Sequence, residues 1–220
     1  MTPVQTTFDT DETPTFFDWL QRNSRLIGIG AALVAVAGAG YWFYLRSAEI
    51  KRLNAERGLN QAKQSMAAGN AALATTDLQR VATRYKGTAS GAQAAMLLAQ
   101  LNFDQGKFAE GVQILQPYQT PGASGDNLAS VHSLVADGQL AEGKVEDAAS
   151  TYAKAAEATK LPGSRALLRA KQARALMTAG KNAEAKAIWE DLARDPDASV
   201  VANEANIRLG EILAQPAGKT

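Results

Sequence analysis

The sequence contains no cysteine and a single histidine, His132, among its 220 residues. The absence of cysteine excludes disulfides, thiolate zinc sites, a cysteine nucleophile and a lipid-modified N-terminal cysteine. With a single imidazole and no thiolate, nearly all the ligands of a transition-metal site would have to be carboxylates. No G-x-S-x-G or similar nucleophile motif occurs. We therefore predict no catalytic residue, no cofactor and no metal site, and we do not expect an enzyme. His132 itself is predicted to lie on the surface of a helix or in a groove.

A surplus of one charge is also missing. Lys and Arg number 23 and Asp and Glu number 22, which gives a formal net charge of +1. Nucleic-acid-binding proteins usually carry a basic surplus on one face. The composition therefore predicts no nucleic-acid partner.

One long apolar run is present near the N-terminus. "LIGIGAALVAVAGAGYWFYL", Leu26 to Leu45, holds 20 uncharged residues, enough for a helix of about 30 Å, the thickness of a bilayer core. Aromatic residues gather at its C-terminal end, where amphipathic rings favour the membrane interface. We predict a transmembrane helix at 26–45 that follows a partly disordered tail at 1–25. A cleaved signal peptide is the competing interpretation, although the preceding tail is long and acidic.

The orientation of this span stays open on charge alone. Arg22 and Arg25 precede the span, and four basic residues follow it within about 15 residues: Arg46, Lys51, Arg52 and Arg57. The positive-inside rule then favours the cytoplasm for the C-terminal domain. The rule weakens for long domains, so it does not decide the side.

Glycines recur at a fixed interval after the apolar run. Gly69, Gly106, Gly143 and Gly180 stand 37 residues apart, since 106−69, 143−106 and 180−143 are all equal. Glycine is unfavourable inside a helix and common just after its end, in a left-handed conformation. We therefore predict that each glycine is the turn between two antiparallel helices, with Asn182 able to cap the helix after Gly180. An interval of this size indicates stacked helical repeats.

Residues around each glycine keep the same register. Small residues stand seven positions before it and five after it, and large apolar residues stand three before it and nine after it, as in Ala136, Leu140, Ala148 and Tyr152 around Gly143. Small residues allow two helices to approach closely while the large ones fill the space beside them. This pattern resembles the tetratricopeptide repeat (TPR) family, although the interval exceeds that family's usual 34 residues.

The TPR resemblance implies a protein-binding groove lined by the first helix of each pair. The family's groove positions fall six, thirteen and two residues before the turn glycine. In this sequence those positions are Lys63, Gln93, Gln100, Asp104, Ser130, Asp137 and Arg174. Their mixed charges argue against a dedicated clamp for an acidic peptide terminus.

The layout as a whole resembles the YfgM-type family of bacterial inner-membrane proteins: a short tail containing "FFDWL", one span and a C-terminal repeat array. That resemblance implies an inner-membrane anchor with a cytoplasmic N-terminus and a periplasmic repeat domain. It also implies protein partners: subunits of the Sec translocon, a membrane-anchored periplasmic chaperone and newly exported chains. The alternative function is a structural scaffold that self-assembles or organises another envelope complex through the span and the last helix.

The predicted fold class is all-α: one transmembrane helix followed by an α-solenoid of about four TPR-like helix pairs and a terminal capping helix near 198–214. The repeat domain is expected to occupy 46–214, with a short tail at 215–220. The first repeat helix is expected at 47–68, separate from the span.

Overall fold

A computed structural model describes residues 24–124 and 127–214, and the regular structure within those ranges is entirely helical. The all-α prediction is confirmed. The α-helices of these ranges are α1 Ser24–Ala67, α2 Ala71–Arg84, α3 Ala89–Asp104, α4 Phe108–Leu115, α5 Pro121–Ser124, α6 Leu128–Ala141, α7 Val145–Ala158, α8 Pro162–Thr178, α9 Asn182–Arg194 and α10 Ser199–Ala214. Nearly all of the predicted tail at 1–25 and the whole tail at 215–220 lie outside the described residues.

The chain divides into two compact units, Met1–Ile50 and Lys51–Thr220. In the first unit, the described residues form the N-terminal half of α1, and this helix is long and apolar enough to cross a membrane. Its large apolar side chains, among them Leu33, Val34 and Trp42, are exposed rather than packed into a core. An apolar helix whose described side chains are exposed is typical of a membrane span or a signal sequence, not of a core helix.

One boundary differs from the sequence prediction. The span and the first repeat helix were expected to be separate, whereas α1 is continuous from Ser24 to Ala67. The sequence between them, "RSAEIKRLNAER", is rich in Ala, Leu, Glu, Lys and Arg and contains neither Gly nor Pro. These residues favour helix, and nothing in the stretch breaks it.

The four periodic glycines end helices in the same way. Gly69, Gly106, Gly143 and Gly180 have φ between 74° and 78°. In each case the glycine N–H donates to the carbonyl three residues back, and the next N–H donates to the carbonyl five back, as in Gly180 to Met177 and Lys181 to Leu176. This is the Schellman motif, which satisfies the last carbonyls of the helix. Asn182 is the first residue of α9, and the N-cap position is Lys181 rather than the predicted Asn182.

Successive helices of the second unit pack in the order expected for a solenoid: α2 on α3, α3 on α4, α4 on α6, α6 on α7, α7 on α8, α8 on α9 and α9 on α10. Two buried clusters hold the array together. One is built around Leu78, Leu98, Leu115 and Val131, and the other around Tyr152, Leu176, Trp189 and Leu192. Each helix pair therefore buries its apolar face against its neighbours, as solenoid stability requires.

His132 lies inside this packing rather than on the surface or in a groove, so that prediction is wrong. It is 8 % exposed, and its Nδ1 has no hydrogen-bond partner in the described part of the chain. Burial, with a smaller contribution from the positive charge of Lys154, lowers the pKa of the imidazole below its usual 6.5. The folded protein therefore favours the neutral ring.

The burial of His132 predicts acid destabilisation. Because the pKa of His132 is lower in the folded state, the unfolded state takes up a proton more readily below pH 6.5. The free energy of unfolding therefore has its full value above pH 6.5 and falls as the pH drops below it. One group can contribute a slope of at most about 1.4 kcal/mol per pH unit. Urea unfolding between pH 7.5 and 5.5 should show this loss, and His132→Leu should remove it. An equal slope in the variant would assign the pH dependence to other groups.

Candidate protein-binding groove

An open groove of about 520 Å³ lies between α6 and α8. Its lining comes from α3, α6, α8 and the turn between α7 and α8. These residues are Met96, Ala129, Ser130, Ser133, Leu134, Asp137, Thr159, Leu161, Ser164, Leu167 and Leu168, and we call them the α6–α8 groove. It is built by the first helices of two consecutive pairs, which is where the repeat register predicts binding residues.

The groove opens because the first helices of the array are unevenly spaced. α3 packs on α6, and α8 packs on α10, whereas α6 and α8 share fewer close backbone contacts. Both α6 and α8 are instead held by α7, which packs on each of them. The separation exposes side chains that would otherwise meet across two adjacent helices.

The lining combines an apolar floor with hydroxyl groups. Leu134, Leu161, Leu167, Leu168 and Met96 supply the apolar surface. Leu161 and Leu167 are exposed although they are large and apolar. Exposed apolar side chains beside polar groups are typical of a surface that binds another molecule.

Asp137, at one end of the groove, is engaged by side chains of its own chain. Tyr152 Oη donates a hydrogen bond to Asp137 Oδ1, and Lys171 Nζ donates to both carboxylate oxygens at 2.8 and 3.1 Å. Burial and this hydrogen bond raise the pKa of Tyr152. The three residues belong to α6, α7 and α8, so the contact joins two consecutive repeats. A ligand would meet a neutralised carboxylate here.

Arg174 is likewise paired within the chain. Its guanidinium donates two hydrogen bonds to Glu204 of α10, from Nε to Oε1 at 2.6 Å and from Nη2 to Oε2 at 2.5 Å. This contact lowers the pKa of Glu204 and raises that of Arg174. Bidentate pairs of this kind fix geometry, and this one joins α8 to the terminal helix.

The structure brings together only two of the seven predicted groove residues, Ser130 and Asp137, in the α6–α8 groove. Gln93, Gln100 and Asp104 are exposed on α3, where the Gln100 amide donates to the Asp104 carboxylate at 3.2 Å. Lys63 is exposed on α1. These residues do not line the groove.

Sequence reasoning missed the apolar lining. Leu167 stands thirteen residues before Gly180, a position that was considered for other repeats. Leu134 stands nine before Gly143, where the next repeat carries Lys171. A search for apolar residues at predicted surface positions would have found both.

Two comparisons with known proteins agree with this architecture. A family model described as a tetratricopeptide repeat-like domain matches residues 18–158. A crystal structure of a putative kinesin light chain with nearly identical TPR-like repeats from Podospora anserina superimposes with a TM-score of 0.52 and 16 % identity, covering 77 % of this chain and 98 % of that one. At that identity the likeness concerns the fold. Among curated protein sequences, none matches the chain.

Proposed function

Because the chain belongs to the tetratricopeptide repeat-like domain family, whose stacked helix pairs serve as protein-interaction scaffolds rather than as typical enzymes, we propose that it binds a polypeptide segment in the α6–α8 groove. The observation that carries the proposal is the groove lining: exposed leucines beside hydroxyls, with the nearest charge already paired.

The lining favours an extended segment with uncharged, apolar side chains. Leu134, Leu167 and Leu168 can cover one or two such side chains, while Ser130, Ser133 and Ser164 can hydrogen-bond to the peptide backbone. A charged side chain would lose water without gaining a partner, since Asp137 is already bound to Lys171. Unfolded polypeptides expose segments of this favoured kind.

The proposed setting is the bacterial inner membrane. The N-terminal part of α1, residues 26–45, would span it as a single anchor, with the N-terminus in the cytoplasm and the repeat domain in the periplasm. The exposed apolar surface of α1 supports an anchor, and the resemblance to the YfgM-type layout supports the orientation. Anchoring would raise the concentration of the groove near the Sec translocon, a membrane-anchored chaperone and newly exported chains.

A pull-down with the full-length protein in mild detergent tests this function. We expect wild type to recover translocon subunits, the chaperone or exported chains. The variant Leu134→Lys/Leu167→Lys should recover at least tenfold less, because two charges would be buried by the bound segment. The control is Leu73→Lys/Thr76→Lys, which adds two charges at exposed positions on α2 outside the groove.

Two outcomes contradict the proposal in different ways. Equal recovery with both double variants would show that the groove is not the binding surface. Recovery that lacks translocon, chaperone and exported proteins would contradict the assignment to this machinery.

A scaffold is the alternative function, and the surface of α10 favours it. Val200 and Ile207, which are seven residues apart and share one helix face, are 61 % and 62 % exposed, whereas terminal helices of solenoids usually carry a polar outer face. If this surface joins two copies, the full-length protein should form a defined oligomer at micromolar concentration that Ile207→Lys dissociates. A monomer at that concentration would contradict the scaffold.

A further inference from the structure

The basic residues of the repeat domain are concentrated in its first helix pair. Residues 51–87 contain seven Lys or Arg and two Asp or Glu, whereas residues 88–214 contain 12 and 15. The first set is Lys51, Arg52, Arg57, Lys63, Arg80, Arg84 and Lys86, with Glu56 and Asp77. The near-neutral total charge therefore conceals a positive region and a negative one.

Part of this positive charge lies at one end of the pair. Lys51 Nζ donates a hydrogen bond to the backbone carbonyl of Lys86 at 3.1 Å. The part of α1 that begins the first helix pair therefore lies beside the C-terminal end of α2, the second helix of that pair. Lys86 therefore lies beside Lys51, and Arg84 and Arg52 are close to them along the chain. We call these four residues the basic end.

Carboxylates neutralise only part of this charge. Glu56 pairs with Arg52 at 2.7 Å. Within the described ranges, Arg84 and Lys86 have no carboxylate within the 4.0 Å of an ion pair, and both side chains are exposed. Later in the chain the pattern is different, because most cations there are paired, as in Arg169 with Asp191 and Lys181 with Glu146.

The sequence places the basic end close to the proposed membrane span. Lys51 follows Leu45, the last residue of that span, by six residues. Six residues reach about 21 Å even when fully extended. Exposed cations that come within about one screening length, roughly 10 Å, of anionic lipid headgroups are attracted to them, and each one then changes the contact equilibrium about fivefold.

We propose that the basic end, Lys51, Arg52, Arg84 and Lys86, docks on anionic phospholipid headgroups and holds the first helix pair against the membrane surface. This inference rests on the membrane anchoring in the proposed function. It adds a second membrane contact to the proposed anchor.

Fluorescence quenching tests the contact, using the full-length protein in nanodiscs. The chain has no cysteine, so Thr83→Cys places a single dye near the basic end, and Ala71→Cys places one about 18 Å away along α2. Lipids with a nitroxide on the headgroup report proximity. We expect strong quenching at position 83 in discs containing phosphatidylglycerol and weak quenching in pure phosphatidylcholine. Position 71 should be weakly quenched in both.

Charge variants separate docking from mere proximity. Lys51→Gln/Arg84→Gln/Lys86→Gln should reduce quenching at position 83 to the phosphatidylcholine level, as should 1 M salt, where the screening length is about 3 Å. Lys107→Gln/Lys144→Gln/Lys160→Gln changes the net charge equally and should leave quenching intact. Circular dichroism checks that both variants are folded.

The outcomes distinguish this inference from the function on which it rests. Incorporation into discs with equal quenching in both lipids, or equal loss in both triple variants, would contradict the docking and leave the anchor unaffected. Failure of the chain to enter the discs would contradict both.

Discussion

Replacing Trp189 with alanine should lower the free energy of unfolding of the repeat domain by about 3–5 kcal/mol, the usual cost of removing a large buried aromatic side chain. Trp189 is fully buried in the second cluster, and its Nε1–H lies 3.4 Å from the sulfur of Met177. The cavity would lie between α8 and α9, the two helices of the last pair. Urea unfolding of the full-length protein, followed by circular dichroism, measures the loss.

Ile207→Ala is the matched control for Trp189→Ala. Ile207 is also large and apolar, but it is exposed on α10, so its truncation should change stability by about 0.5 kcal/mol or less. A small effect of Trp189→Ala would mean that the last pair does not pack on this side chain. A large effect of Ile207→Ala would mean that the outer face of α10 is covered.

Gly111→Ala should cost about 1–3 kcal/mol, although alanine stands at this register position in the other repeats. A Cβ at Gly111 would lie 2.3 Å from Phe103 Cε1, and one at Gly138 would lie 2.6 Å from Phe103 Cζ. One ring therefore packs against two glycines, on α4 and on α6. The same urea unfolding experiment measures the cost.

The smaller side chain of Phe103→Leu should relieve the clash. In that background, Gly111→Ala should cost at least 1 kcal/mol less than it does beside the phenylalanine, since the two positions are in contact. Gly163→Ala serves as the glycine control, because a Cβ there meets nothing within 4 Å. Additive costs for Gly111→Ala and Phe103→Leu would contradict the direct contact.

The repeat array could be predicted from the sequence because its signals are local. A Schellman turn is formed within six residues, so the glycine and the apolar residues beside it suffice to place it. The contact between Phe103 and Gly111 was also readable. The repeat with the largest residue three positions before the turn has glycine, not alanine, five positions after it.

The groove could not be predicted to the same depth, because its position depends on contacts between repeats. The separation of α6 from α8 results from how both pack on α7, and the repeat register is the same whether two helices touch or stand apart. Asp137 and Arg174 were both predicted as groove residues, but each is paired within the chain, and their partners Lys171 and Glu204 lie 34 and 30 residues away in the chain. Such ion pairs form only when the folded solenoid brings residues of different repeats together, so the sequence register does not predict them.

Site-specific photo-crosslinking tests the proposed binding function most directly. A photoreactive benzoyl-phenylalanine would replace Leu134, in the α6–α8 groove, and in a second variant Leu73, which is exposed on α2. After irradiation of intact cells, we expect adducts with extended segments of exported polypeptides from position 134 and few or none from position 73. Adducts of equal yield from both positions, or none from position 134 while position 73 reacts, would contradict the proposed function.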